Sequence, residues 1–325
     1  MFPSPNYTDD KFGIHSNTER YCWAAYLLFG LLSSFVGDTL ILFASFQKDA
    51  FKINKLIITV IRHIGIADIA TSISAVLPAL TSLLVNSWIL GDQLCHVTVY
   101  TRYISYQSGT YLIAALTTCK FLILRYPLKA SGWSTKRFHI VCSLIWTSSI
   151  AVAFVNTTFT KDGVHFDYRT YICEHGFNPE NWMTIQSITA TIYSFAPNLI
   201  IVLVTIPTLQ YLAAARRSAR RARGNVPWQG ALTVALTAAI YCISIVPITV
   251  YHFAKRWLRN DSSGWFYVKF YRVSSFFLLI NIMANVYIYS LTIKSFRRFL
   301  VLKAVAICSV CRKSNMPPTA SEAGT

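Results

Sequence analysis

Two carboxylates, Asp38 and Asp68, stand near the middle of long apolar segments. An ionisable group at the centre of a hydrocarbon layer costs on the order of 3 kcal/mol or more, and such groups mark proton, ion or ligand paths. If the fold brings two carboxylates together in a low-dielectric interior, one holds a proton or a cation sits between them. The other reactive residue types are dispersed. The seven histidines (His15, His63, His96, His139, His165, His175 and His252) fall at different depths and on different sides, which gives no zinc site and no hydrolase centre. The eight cysteines divide by depth. Cys119, Cys142 and Cys242 lie within apolar segments as small fillers. Cys22, Cys95 and Cys173 lie where oxidation is possible, and a bridge from Cys95 to Cys173 would pin a long loop over the bundle, leaving Cys22 unpaired. Cys308 and Cys311 are either S-palmitoylation sites or unmodified thiols.

The composition indicates what scaffold positions these groups. Hydrophobic residues make up 54% of the chain and charged ones 13%, about half the roughly 25% of a soluble domain. The apolar residues form seven blocks, at 21–46, 56–85, 95–126, 138–159, 182–212, 228–254 and 265–291. Each exceeds the roughly 20 residues a helix needs to cross a bilayer. Lipid gives the backbone no hydrogen-bond partner, so each block must be a helix. The fold class is therefore an all-α membrane protein, a seven-transmembrane helix bundle. Beyond it, Ile293, Phe296, Phe299 and Leu300 share one helical face and Lys294, Arg297 and Arg298 another, the pattern of a short amphipathic helix on the membrane surface. The expected organisation is an amino-terminal tail at 1–20, the seven-span domain at 21–292, the surface helix at 293–306 and a tail at 307–325.

The net charge of +17 invites a nucleic-acid reading, but no basic surface interleaves with base-stacking aromatics. Twenty of the 30 Lys and Arg fall on one side of the seven spans, together with only two acids, Asp49 and Glu322. This positive-inside bias sets the amino terminus outside the cell and the carboxyl terminus in the cytoplasm. Three glycosylation triplets, opened by Asn6, Asn156 and Asn260, all fall on the expected outer side. Residues 1–20 are polar and show no cleavable leader, so the first span acts as its own insertion signal.

Several residues, in order, resemble a rhodopsin-type G-protein-coupled receptor over nearly the whole chain. They are Ala67-Asp68 in the second span, Trp88-Ile89-Leu90-Gly91 and then Cys95 at the third, and Pro127-Leu128 after it. Trp146, Pro197 and Pro247 follow in the fourth, fifth and sixth spans, and Asn285, Tyr289 and Phe296 close the series. The departures are as specific. Where the family carries an acid-Arg-aromatic triplet, this chain has Cys119-Lys120-Phe121, and Arg125-Tyr126 imitates the triplet five residues late. Lys keeps the charge but loses Arg's planar fork. Ile245 replaces the sixth span's tryptophan, Val286 the seventh span's proline, and Asp38 the first span's asparagine.

The resemblance implies a plasma-membrane receptor that passes an extracellular signal to a heterotrimeric G protein, in contact with membrane lipid and with no enzymatic activity. It implies a Cys95–Cys173 disulfide. It places Asp38 near Asp68 and surrounds Asp68 with Asn281 and Asn285, a sodium pocket from which Gly109 withholds the usual hydroxyl. Two readings stand: a shared proton or cation at Asp38, Asp68, Asn281 and Asn285, or a hydrated structural network. A ligand cavity is expected between Arg102, Tyr103, Tyr106 and Gln107 of the third span, His252 and Lys255 of the sixth, and Tyr271, Arg272 and Ser275 of the seventh. No aspartate stands at Arg102, which disfavours an amine. A rim of Arg102, Lys255 and Arg272 favours an anionic small molecule or a peptide carboxyl terminus, unless Glu174 neutralises Arg102. Lys120, Arg216, Arg217 and Arg220 are the expected G-protein contacts. Leu279 stands where a retinal-binding lysine would be, so photoreception is not expected. A signalling-impaired receptor and a proton- or cation-coupled transporter are the alternatives. The transporter has the carboxylate pair in its favour and lacks repeats and broken helices.

Overall fold

In the computed structural model the described residues are 17–47, 51, 54–158, 163–167, 170–175, 192, 195–221, 228–257 and 264–314. In chain order they form α1 (Asn17–Phe46), α2 (Lys55–Val85), α3 (Gly91–Arg125), the short α4 (Pro127–Ser131) and α5 (Thr135–Thr158). A hairpin of β1 (Val164–Asp167) and β2 (Ile172–His175) follows. Then come α6 (Ala196–Arg221), α7 (Trp228–Trp257), α8 (Gly264–Thr292) and α9 (Lys294–Ser314). The seven long helices α1–α3 and α5–α8 are the seven spans.

The helices are inside-out relative to a soluble bundle. On α1, Phe29, Leu32, Val36 and Phe43 are exposed, while Gly30, Ser34, Gly37 and Asp38 are buried. Lipid solvates the apolar face, so polar groups gain only by turning inward. Among the described residues four stretches are long and apolar enough to cross a membrane: Asn17–Phe46, Lys55–Val85, Thr135–Asn156 and Lys269–Thr292. Shorter apolar runs, Ala196–Tyr211 and Ala235–Tyr251, lie in α6 and α7. The third span carries many polar residues and is central. It packs against α2, α5, α6 and α7, and its Ser105, Gln107, Ser108, Thr110 and Thr117 are buried. α1 packs on both α2 and α8 and so closes the ring.

Two local devices set the geometry near Asp68. Pro78 has no N–H for the carbonyl one turn earlier, and a π turn, Ser72–Val76, precedes it, closed by the Leu77 N–H on the Ser72 carbonyl. On α1, a Cβ added at Gly37 would stand 2.8 Å from Val286 Cγ1 and 2.9 Å from its Cβ. Glycine at 37 is therefore what lets α1 approach α8 at the position where the family's proline is replaced.

At one end, Cys95 and Cys173 form a disulfide with a Cα–Cα distance of 5.6 Å. It fastens β2 to the start of α3, with Phe166 opposite Cys173 in the antiparallel register. The Tyr171 hydroxyl donates to Asn86 Oδ1 at 2.8 Å, and both residues have positive φ, at +57° and +59°. Burial raises the Tyr171 hydroxyl's pKa above its ordinary value, against the opposing pull of Arg272 and Arg20 beside it. At the other end, cations collect. Phe296 of α9 is buried and stacks on Phe51 at 4.8 Å, Arg297 and Arg298 are exposed, and the Lys303 ammonium lies 5.5 Å from the Phe43 ring. α9 is amphipathic and runs on to Ser314, past the expected end at 306.

The glycine contacts predict opposite outcomes at two buried positions. Gly37→Ala should lower the melting temperature of the purified protein, at a cost of about 1–3 kcal/mol, because Val286 Cβ cannot swing aside. Gly109→Ala should leave it unchanged or higher, since its Cβ would meet only Ala67 Cβ at 3.7 Å. Equal melting temperatures for the two variants would contradict this account of the α1–α8 approach.

Candidate functional site

Two sites lie in series along the bundle, a polar core at mid-depth and a cavity under the hairpin. In the core, Asp38 and Asp68 are 1% and 5% exposed, and each lies within reach of the other's charge. Ser34 Oγ donates to Asp38 Oδ2 at 2.8 Å and stands 2.8 Å from Ser72 Oγ. Asn285 Nδ2 donates to Asp68 Oδ2 at 2.6 Å. The Tyr289 hydroxyl is buried without a hydrogen-bond partner and lies within electrostatic reach of both carboxylates. The expected quartet is thus brought together in three of its members. Asn281 is half-buried on the same helix, and no hydrogen bond joins it to Asp68. Sequence reasoning used Tyr289 only as a family marker and missed it as a member of the site.

The cavity has a volume of about 150 Å³. Its walls are mostly apolar and come from α1 (Trp23, Leu27), α2 (Thr71, Ala75, Ala79, Leu83), α8 (Leu278, Leu279, Ile282) and the hairpin (Tyr171, Ile172). Arg102, Tyr271, Arg272 and Ser275 line it as expected. Tyr103, Tyr106 and Gln107 do not. Tyr103 packs against the hairpin cluster and Tyr106 against the central core, while Gln107 is buried with an unpartnered Oε1. Three of the expected lining residues thus turn elsewhere, and this cavity lies among α1, α2, α8 and the hairpin. The side chains of His252 and Lys255 lie outside the described residues.

The cations in and beside this cavity are held differently. Arg102 Nη2 donates to the Cys173 carbonyl at 2.7 Å, so the hairpin itself occupies part of that guanidinium. Glu174 and Arg102 both act electrostatically on Tyr271. Arg272 Nη1 pairs with Glu19 at 3.1 Å, but its Nη2 is buried with no hydrogen-bond partner. Arg20 Nε is buried and unpartnered too. No motif singles out Arg20, which lies in the first turn of α1.

Two further expectations change. Lys120 is only 8% exposed, and its Nζ has no hydrogen-bond partner. In this conformation it is a buried amine, not a surface contact, whereas Arg125 is exposed with its guanidinium 5.6 Å from the Tyr211 ring. Asn156 is 5% exposed within α5, where no glycan fits. It lies before the end of a span, which a sequence triplet does not register. Arg217 is exposed on the last turns of α6. The side chains of Arg216, Arg220, Cys308 and Cys311 lie outside the described residues, as do Asn6 and Asn260.

Comparison with known proteins agrees with this geometry. Residues 59–289 match the family described as 7 transmembrane receptor (rhodopsin family). The galanin receptor type 2 of Homo sapiens is 24% identical over 231 residues, covering 68% of this chain and 57% of that protein. The QRFP-like peptide receptor of Branchiostoma floridae is 22% identical, covering 57% and 48%. The C-X-C chemokine receptor type 2 of Gorilla gorilla gorilla is 23% identical, covering 43% and 40%. The chain spans about half the length of the curated relatives it matches. A family match over most of the chain, on a bundle of seven long helices closed by a third-span disulfide, shows that this multi-pass plasma-membrane protein belongs to the rhodopsin family of seven-transmembrane receptors.

Proposed function

We propose that the chain is a cell-surface receptor. It binds an anionic ligand, either a small molecule or a peptide carboxyl terminus, at the disulfide end and signals to a heterotrimeric G protein at the cationic end. The orientation rests on the charge asymmetry, which puts the amino terminus outside. The observation that carries the ligand class is Arg272 Nη2, a buried donor without an acceptor at a mostly apolar cavity. An unmet buried donor costs about 1–3 kcal/mol, more for a charged group. A carboxylate or phosphate oxygen would remove that cost while the apolar walls take up the ligand's body. The relatives named for galanin and for a QRFP-like peptide favour a peptide.

Lys120 is the coupling residue in this reading. An amine buried without a partner disfavours the conformation seen, and opening the cationic end would let it meet the G protein beside Arg216, Arg217 and Arg220. The carboxylate pair serves as the second control point, with sodium or a shared proton between Asp38 and Asp68. A transporter would use the same pair to carry protons, and substrate flux in proteoliposomes would reveal it. A receptor unable to couple would bind ligand without nucleotide exchange.

A screen of carboxylates, phosphates, peptides and amines, read as nucleotide exchange on G proteins, tests the ligand class. Arg272→Ala should weaken an anionic agonist about tenfold or more. Agonism confined to amines and untouched by Arg272→Ala would refute it. Lys120→Met should raise the melting temperature by removing a buried unpaired amine, yet abolish exchange. A variant that signals normally would remove Lys120 from coupling. Asp38→Asn keeps an acceptor for Ser34 and removes one of two like charges, so it should melt at the same or a higher temperature and lose any sodium dependence of ligand binding. Unchanged sodium dependence in both Asp38→Asn and Asp68→Asn would rule out the cation site.

A further inference from the structure

The dispersed histidines of the sequence are not all dispersed in space. His63 of α2 and His139 of α5 bring Nε2 and Nδ1 to 3.5 Å, with ring centroids 5.7 Å apart and the rings inclined at 67°. We infer that this pair is a binding site for a divalent transition-metal ion of the zinc or copper type, bridging the second and fourth spans near the cationic end. The sequence places the two residues in separate spans, with nothing in their spacing to join them. Seventy-six residues separate them in the chain, and only the α2–α5 contact unites them.

The two nitrogens stand at the long limit of a hydrogen bond, and the same separation suits chelation. At 3.5 Å the pair is longer than the roughly 2.7–3.2 Å of ordinary N–H hydrogen bonds, so the imidazoles gain little from each other. Two zinc–nitrogen bonds of about 2.0–2.1 Å at the tetrahedral angle would hold the nitrogens about 3.4 Å apart. The rings therefore already stand at chelating separation, each on a long helix within a packed bundle. His139 is exposed and His63 half-buried, which leaves a path for the ion and room for water to complete the coordination. Among the described residues no third His, Cys, Asp or Glu joins the pair. Cys142, one turn beyond His139, is buried in the core. Two neutral imidazoles select zinc or copper over magnesium and calcium, which take oxygen ligands. Nearby cations do not occupy the position. Arg62 turns to α1, where its Nε donates to Ser45 Oγ at 2.9 Å, and Lys136 and Arg137 are exposed on the first turn of α5.

The test uses the purified full-length chain in detergent micelles. At about 100 µM zinc chloride the melting temperature should rise by about 2–4 °C, because an ion bound only by the folded state stabilises it. His63→Gln and His139→Gln should each abolish the rise, and His139→Cys should retain it. With one equivalent of copper, electron paramagnetic resonance should show two nitrogen donors in the unaltered protein and one in either glutamine variant. A zinc-induced rise of equal size in both glutamine variants would overturn the site. So would a copper spectrum that neither substitution changes, or the absence of any rise in the unaltered protein.

Discussion

Hydrocarbon offers no hydrogen-bond partner, and that single deficit organises this molecule. It forces the backbone into helices, sends apolar side chains outward and leaves polar groups only one another. The exposed Phe29, Leu32 and Val36 of α1 and the buried Ser34 and Asp38 of the same helix are two results of one constraint. The same constraint explains how the third span can be rich in polar side chains. It touches helices on most sides and meets little lipid, so it can carry Ser105, Gln107, Ser108 and Thr110 inward without exposing them.

Because unmet polar groups are costly, those that persist are informative. Lys120 Nζ, Arg272 Nη2 and the Tyr289 hydroxyl are all buried and unpartnered, and they fall at three levels of the bundle. Arg272 is beside the cavity, Tyr289 near the carboxylates, and Lys120 toward the cationic end. Each marks a place where a ligand, an ion, water or a changed helix packing would lower the free energy. A seven-span bundle that transmits a signal needs such places, since only a partner that binds one packing better than another can shift the balance between them.

The seven spans and the amphipathic helix were legible because hydropathy and the helical period are local properties of the chain. The carboxylates were legible as well, since an acid within an apolar block is anomalous wherever it later packs. What the sequence hid was tertiary. The expected cavity included Tyr103, Tyr106 and Gln107, but the direction each takes around α3 depends on which neighbours crowd which face. Tyr106 turned to the core and Arg102 to the hairpin carbonyl. Arg20 belongs to no motif, and only the fold sets it beside Tyr171. His63 and His139 carry no shared pattern, and their meeting follows from the packing of α2 on α5 alone.

The replaced residues of the first and seventh spans are better understood together than singly. Gly37 precedes Asp38, and Val286 follows Asn285, so the contact that only glycine permits at Gly37–Val286 sets the two polar neighbours at the same depth. Asn285 then donates to Asp68, while Ser34, one turn before Asp38, reaches both Asp38 and Ser72. Proline at 286 would lack the N–H that a helix interior uses and would bend α8. Valine leaves α8 unbroken through Thr292, and its branched side chain packs against the gap that glycine leaves. A second carboxylate could enter this core because the backbones of α1 and α8 draw close enough to enclose it from water. Gly37, Asp38, Asn285 and Val286 in this sense work together at a single helix crossing.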